Sequence, residues 1–251
     1  MLLSNEIWND IKPLFAAAYP NETAIAVYEN GTWEQLHNSS QDPTNAFLLD
    51  SQTTARLLEH PPHLFLHSHP HGSAEPSDRD TEQQIATGWT WGIVAVHGNE
   101  LGPQLVDEPE WIGPLMPVEP FLGRKYLWGV RDCWTLCCDW YAASGRKLKA
   151  IPRVREPGPH HIEGRKQDPF RYWPSRLGFR KLASRDERKP GDLAIMFWNS
   201  PIPNHCAIYL GEGRYLHQLD GRTSEEYQPT NEEQFLERFA VEFHRLKGGN
   251  K

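Results

Sequence analysis

Two separate groups of residues in this chain have the types and spacings needed to hydrolyse amide bonds. In the first, His67 and His69 flank Ser68 directly after the apolar run Leu64 to Leu66, and Pro70, Ser77 and Asp80 follow. Side chains at i and i+2 of a strand point to the same side, so both imidazoles can reach one metal ion. Asp80 supplies a third ligand if the Pro- and Gly-containing loop His71 to Pro76 folds back over the strand end. Two His and one carboxylate suit zinc with water in the open position. Cleaving a peptide also requires a base to carry the water proton to the leaving amine. Glu22, just ahead of the first expected strand in Tyr19-Pro20-Asn21-Glu22, is the candidate base, and Ser77 the candidate donor to the oxyanion.

The second group begins at Asp132-Cys133, where a turn-like stretch runs into a helical pattern. In the first helical turn the partial positive charge of the helix terminus favours a thiolate, the form of Cys133 that attacks a carbonyl carbon. His205, at the start of a strand, is the candidate general base. His217, brought beside it by a hairpin at Gly211 to Gly213, is the candidate orienting residue of a triad. Cys137, Cys138 and Cys206 read as small buried hydrophobes, and Trp128 and Trp134 as core residues.

The elements that must hold these groups follow from periodicity. Asn5 to Tyr19 places Ile7, Trp8, Ile11, Leu14, Phe15 and Ala18 near one helical face, and Pro20 stops the helix. Thr23 to Tyr28 reads as a strand, with Asn30-Gly31 turning it into Thr32 to Leu36. Helices are predicted over Ser51 to Glu59 and Asp78 to Thr87, and strands over His63 to Ser68 and Trp89 to His97. Leu101 to Pro120 is rich in proline and reads as a linker, which puts a domain boundary near Pro117, between 1–117 and 118–251. Beyond it, Asp132 to Ser144 reads as a helix, and Arg146 to Lys189 shows no clear period. Pro190-Gly191-Asp192 is a turn leading into strands at Leu193 to Trp198, Cys206 to Leu210 and Tyr215 to Leu219.

Composition narrows the classes. A chain of 251 residues suits two compact domains, and its ten tryptophans and 38% apolar residues exclude intrinsic disorder. A net charge of −7 without a dense Lys/Arg block argues against a nucleic-acid partner. The longest apolar runs, such as Gly92 to Val96, are far too short for a membrane span, and no basic segment precedes a long apolar core at the N-terminus. Three of the four cysteines are crowded at Cys133, Cys137 and Cys138, which suits reduced thiols made in a cytoplasm.

With an upstream Glu22, His67-Ser68-His69-Pro70 and Ser77-Asp78-Arg79-Asp80, the first group resembles the JAMM (MPN) metalloprotease family. That resemblance implies zinc at His67, His69 and Asp80, a Glu22 base and a Ser77 oxyanion donor, while His63, His71 and His97 match nothing in it. Asp132-Cys133, Pro190-Gly191-Asp192, His205 and His217 occur in the order and spacing of NlpC-type cysteine peptidases. That likeness implies a papain-like fold, a Cys133, His205, His217 triad and cell-wall peptide substrates. The expected fold class is therefore α/β and α+β: an N-terminal JAMM-type mixed α/β domain, then a papain-like NlpC-type α+β domain. The fusion, with Gly129-Val130-Arg131-Asp132-Cys133-Trp134-Thr135-Leu136, resembles the tail-assembly proteins of lambda-like phages. This implies a hydrolase that works in the host cytoplasm during assembly and a place in the virion tail tip. Its implied partners are other phage tail-tip proteins, with peptidoglycan stem peptides as a further substrate class. The alternative is a structural or chaperone component in which peptidase folds serve as assembly surfaces.

Overall fold

A computed structural model of the chain describes residues 2–100, 104–151 and 169–248. They divide into two compact units, Met1–Pro117 and Val118–Lys251.

The first unit opens with helix α1 (Asn5–Ala18), capped by Ser4, whose hydroxyl accepts from the Ile7 amide. Its buried residues Trp8, Ile11 and Phe15 follow the helical period. Strands β1 (Ala24–Val27) and β2 (Trp33–Leu36) form a hairpin whose turn takes Gly31 at φ 82°, a conformation that favours glycine. Helix α2 (Ser51–Glu59) follows, then β3 (Leu64–His69), α3 (Asp78–Thr87) and β4 (Thr90–His97), with β3 and β4 parallel across the α3 connection. Part of the segment read as a linker is sheet: β5 (Leu105–Val106) and β6 (Glu110–Ile112) both pair antiparallel with β4. Such short strands are set by their partner rather than by local periodicity. Residues 101–103 of that segment lie outside the described residues.

The sheet runs β2-β1-β3-β4-β5, with β6 also on β4. Ile25, Val27, Leu64, Leu66, Val94 and Val96 pack with Trp8, Ile11 and Phe15 of α1 in one core. Alternation sends Phe65 and His67 to the other face, where both rings meet Trp91. The helix α1 thus stabilises one face of the sheet, and the first candidate site occupies the other.

In the second unit α4 (Cys133–Ala143) is followed by α5 (Pro169–Arg176), β7 (Phe179–Lys181) and a short 3-10 turn at Arg185–Glu187, all but α4 within the stretch without readable periodicity. Residues 152–168 of that stretch lie outside the described residues. Strands β8 (Leu193–Met196), β9 (His205–Gly211), β10 (Arg214–His217) and β11 (Glu225–Tyr227) then lead to α6 (Glu232–Arg238) and β12 (Glu242–Leu246). The sheet order is β11-β10-β9-β8-β12-β7, antiparallel throughout.

Each face has its own core. Leu136, Cys137 and Tyr141 of α4 pack on Leu193, Ile195, Cys206 and Ile208, while Phe235, Leu236 and Phe239 from the α6 region pack on Ala194, Met196, Ala207 and Tyr209. The turn before β8 is fixed by Asp192, which is buried, accepts the Lys189 amide at 2.8 Å and takes both prongs of Arg245 at 2.8 and 2.7 Å.

Candidate functional site

In the first unit the chain brings His67, His69 and Asp80 together. The Nε2 atoms of the two histidines are 3.0 Å apart, and Asp80 lies 3.3 Å from His67 and 3.2 Å from His69. A tetrahedral zinc with bonds of about 2.0–2.1 Å places adjacent donors about 3.3 Å apart, so this donor set fits the ion. The ring of His69 is oriented by its Nδ1, 2.9 Å from the Ser73 carbonyl, which leaves Nε2 free to ligate. His67 is buried, and its Nδ1 has no hydrogen-bond partner among the described residues.

Asp80 is placed by a capping box. The Ser77 hydroxyl caps α3 by accepting the Asp80 amide at 3.1 Å, and the Asp80 carboxylate accepts from the Ser77 amide and hydroxyl, each at 2.7 Å. The Ser77 hydroxyl therefore orients the Asp80 carboxylate in this conformation, and reaching an oxyanion requires it to leave that bond. Burial opposes ionisation of Asp80, but His67 and His69 outweigh it and hold the carboxylate well below its usual range. Burial likewise lowers His69, while Asp80 and Glu22 more than offset it and raise the ring.

Glu22 stands apart from the ligand set but within electrostatic reach of it. Burial pushes its carboxyl above the usual range, against the pull of His67 and His69. Its backbone is clamped by the following loop: its amide donates to the Pro43 carbonyl at 2.7 Å, and its carbonyl accepts from Asn38 at 3.1 Å. His71 was unassigned by the sequence. It is exposed, bonds Asn45 at 3.0 Å and lies near enough to Glu22 to lower it. Nothing in its local pattern marks that position, because Asn45 and Glu22 are distant in sequence.

In the second unit Asp132 is the buried N-cap of α4. It accepts the Trp134 and Thr135 amides at 3.0 Å each and the Gly129 amide at 2.9 Å. Cys133 is therefore the first residue of the helix, and it is half-buried. His205 Nε2 lies 3.0 Å from His217 Nδ1, both rings buried. Trp198 packs against both, with centroids 5.6 and 6.3 Å away, and Tyr227 flanks His217 at 5.6 Å. His205 is close enough to pull the Cys133 thiol down, yet the neighbouring Cys206 thiol and burial leave it well above its usual range. Burial, helped by Arg222, lowers His217 to about 4, so that ring is neutral at physiological pH.

Cys206 and Cys137 are buried, in keeping with small core residues, and Trp134 belongs to the core. Cys138 is only half-buried. The sequence missed Glu225, whose carboxylate lies 3.6 Å from His217 Nε2. Its only signal was its place in a strand that pairs with the His217 strand.

Cys133 thus starts α4 near His205, whose ring meets His217 on the neighbouring antiparallel strand, and residues 123–243 match the model of the NlpC/P60 family. Over 217 residues the chain is 30% identical to tail tip assembly protein K of Escherichia phage N15, covering 84% of this chain and 83% of that one. Its identity to tail tip assembly protein K of Escherichia phage lambda is 26% over 171 residues, covering 66% and 74% of the two chains. The chain belongs to the family of tail tip assembly protein K. Among solved structures, a lipoprotein-like NLP/P60 family protein of Staphylococcus aureus overlaps 96% of this chain and 62% of its own, at 16% identity and a TM-score of 0.35. No described helix is long and apolar enough to cross a membrane.

Proposed function

We propose that this chain acts in tail-tip assembly as a peptide or isopeptide hydrolase, with a thiol site in its second unit and a zinc site of JAMM type in its first. Other tail-tip proteins are its partners and a tail protein or a peptidoglycan stem peptide its substrate. The host cytoplasm and the virion tail tip are its places of action. The observation that carries the reading is the 3.0 Å contact between His205 and His217 beside Cys133, inside the segment that matches the NlpC/P60 model.

In the thiol site His205 takes the Cys133 proton, and the thiolate adds to the scissile carbonyl carbon. The resulting tetrahedral oxyanion collapses, the C–N bond breaks, and His205 returns its proton to the leaving amine. Water then attacks the thioester, giving its proton to His205, and the thiolate leaves and is reprotonated. Trp198 restricts the rotation of His205 and His217, so the relay keeps its alignment through these steps.

In the first unit His67, His69 and Asp80 are the residues to hold zinc. When bound, the ion supplies a water of lowered pKa and a Lewis acid for the carbonyl. Glu22, raised by burial and outside the ligand set, is suited to hold a proton and pass it to the leaving nitrogen. Ser77 fixes Asp80 through the capping box.

Purified protein is incubated with tail-tip proteins and with peptidoglycan fragments, and wild type is compared with Cys133→Ala and His67→Ala by mass spectrometry. Cleavage lost in one variant or the other assigns each substrate to its site, and identical product patterns in all three remove the enzymatic reading. A scaffold role is the rival. It prevails if a chain carrying both Cys133→Ala and His69→Ala still yields infectious particles at normal titre.

A further inference from the structure

The register between β10 and β11 sets Glu225 directly opposite His217. Cross-strand partners share a face, and the Glu225 carboxylate is 3.6 Å from His217 Nε2. That nitrogen is buried and has no hydrogen-bond partner among the described residues. Its other nitrogen, Nδ1, is 3.0 Å from His205 Nε2. One proton must lie between the two rings, and a neutral pair can arrange it in two ways. If His217 carries its proton on Nδ1, His205 Nε2 accepts it, and the proton of neutral His205 sits on Nδ1. Because Nε2 of His205 is taken by His217, Nδ1 is the nitrogen left for the thiol, and in that arrangement it cannot receive a proton. If His217 carries its proton on Nε2, Nδ1 accepts from His205 Nε2–H, and His205 Nδ1 offers a lone pair to Cys133.

We propose that Glu225 is a positioning residue of the thiol site: its carboxylate draws the His217 proton to Nε2 and thereby sets the His205 tautomer that can deprotonate Cys133. The separation is about 0.6 Å longer than a usual N–H···O hydrogen bond, within the range of a side-chain adjustment at the edge strand β11. The groups facing this carboxylate are His217, and Arg222 at 3.9 Å. The packing of Trp198 and Tyr227 restrains the His217 ring, so the position of its proton is the remaining freedom. The thiol proton moves to His205 Nδ1, giving a thiolate and an imidazolium, and Glu225 neither gains nor loses a proton.

This inference rests on the nucleophile reading of Cys133 and is tested without a substrate. The rate of Cys133 alkylation by iodoacetamide is followed against pH in the full chain by peptide mass spectrometry, and the tautomers of His205 and His217 are read by long-range proton–nitrogen NMR. Glu225→Leu removes the acceptor while keeping bulk in the strand. It is expected to slow alkylation at neutral pH about tenfold, the effect of one hydrogen bond to a charged group. In the same variant His205 shows mixed tautomers. Glu225→Gln keeps an acceptor oxygen and restores most of the rate. Glu226→Ala, on the opposite face and paired with Arg214 at 3.0 Å, leaves rate and tautomer unchanged. A wild-type rate and a single His205 tautomer in folded Glu225→Leu overturn the proposal, as does Glu225→Gln being as slow as Glu225→Leu. A Cys133 alkylation rate left unchanged by His205→Ala overturns the nucleophile reading itself, and the tautomer comparison of wild type with Glu225→Leu then still reports on Glu225 separately.

Discussion

The sulfur of Cys206 lies 3.7 Å from that of Cys137, and Cys206 is also the neighbour that, with burial, raises the Cys133 thiol. The residue next to the proposed base thus opposes ionisation of the proposed nucleophile. A raised thiol is protonated at neutral pH, so Cys133 alkylation in wild type increases as pH climbs toward the alkaline range. Cys206→Ala removes the opposing thiol and moves that rise to lower pH. At a fixed neutral pH the variant is expected to react several-fold faster, measured as the pseudo-first-order loss of the unmodified Cys133 peptide. An unchanged or slower rate in folded protein refutes this role for Cys206.

Zinc content tests the first unit directly. Dialysed wild type is expected to retain about one zinc per chain by elemental analysis, while Asp80→Ala and His69→Ala retain almost none. Glu22→Gln keeps the metal, because Glu22 lies outside the ligand set, and loses hydrolysis of whatever substrate the first unit cleaves. Zinc at a hundredfold above its dissociation constant stabilises the fold by ~2.7 kcal/mol, visible as a higher melting temperature that a chelator reverses. A melting curve insensitive to zinc and chelator contradicts the assignment.

The grouping of residues at both candidate sites was legible because each is announced by local chemistry. Ser77 and Asp80 form a capping box while Asp80 also meets His67 and His69, so the same residues start α3 and mark the candidate site. Asp132 does the same for α4 and Cys133. What escaped depends on partners far along the chain. The strand β12 pairs with β7 and β8, and neither it nor the helix α6 before it is announced by a motif near the candidate site residues. The strands β5 and β6 are too short to show a period and exist because β4 offers an edge. Glu225 belongs to this class, since only the pairing of β10 with β11 places it at His217.

The turn that launches β8 is a stability element. Asp192 is buried and held by Arg245 and the Lys189 amide. Arg245→Ala strands a buried carboxylate and is expected to cost about 3 kcal/mol, because an uncompensated buried charge is left behind. Urea denaturation followed by tryptophan fluorescence measures it. Asp192→Asn with Arg245→Ala removes the stranded charge, so the double variant is expected to be more stable than Arg245→Ala alone. The reverse order shows that the pair is not what holds this turn.

Ser77 separates a structural role from a catalytic one. Its amide and hydroxyl both hold the same Asp80 oxygen at 2.7 Å, while its hydroxyl also caps α3. Ser77→Ala removes the hydroxyl and keeps the amide, so one of the two anchors on the carboxylate survives. Loss of the cap costs ~1 kcal/mol of helix stability. Loss of an outer-shell partner lowers metal affinity about 10- to 100-fold. Zinc affinity measured by competition with a chromophoric chelator should fall in that range in Ser77→Ala and recover substantially in Ser77→Thr, which restores a hydroxyl. If zinc binds Ser77→Ala as tightly as wild type while cleavage is lost, the hydroxyl serves the reacting carbonyl rather than Asp80, and the capping box is only one of two states that Ser77 visits.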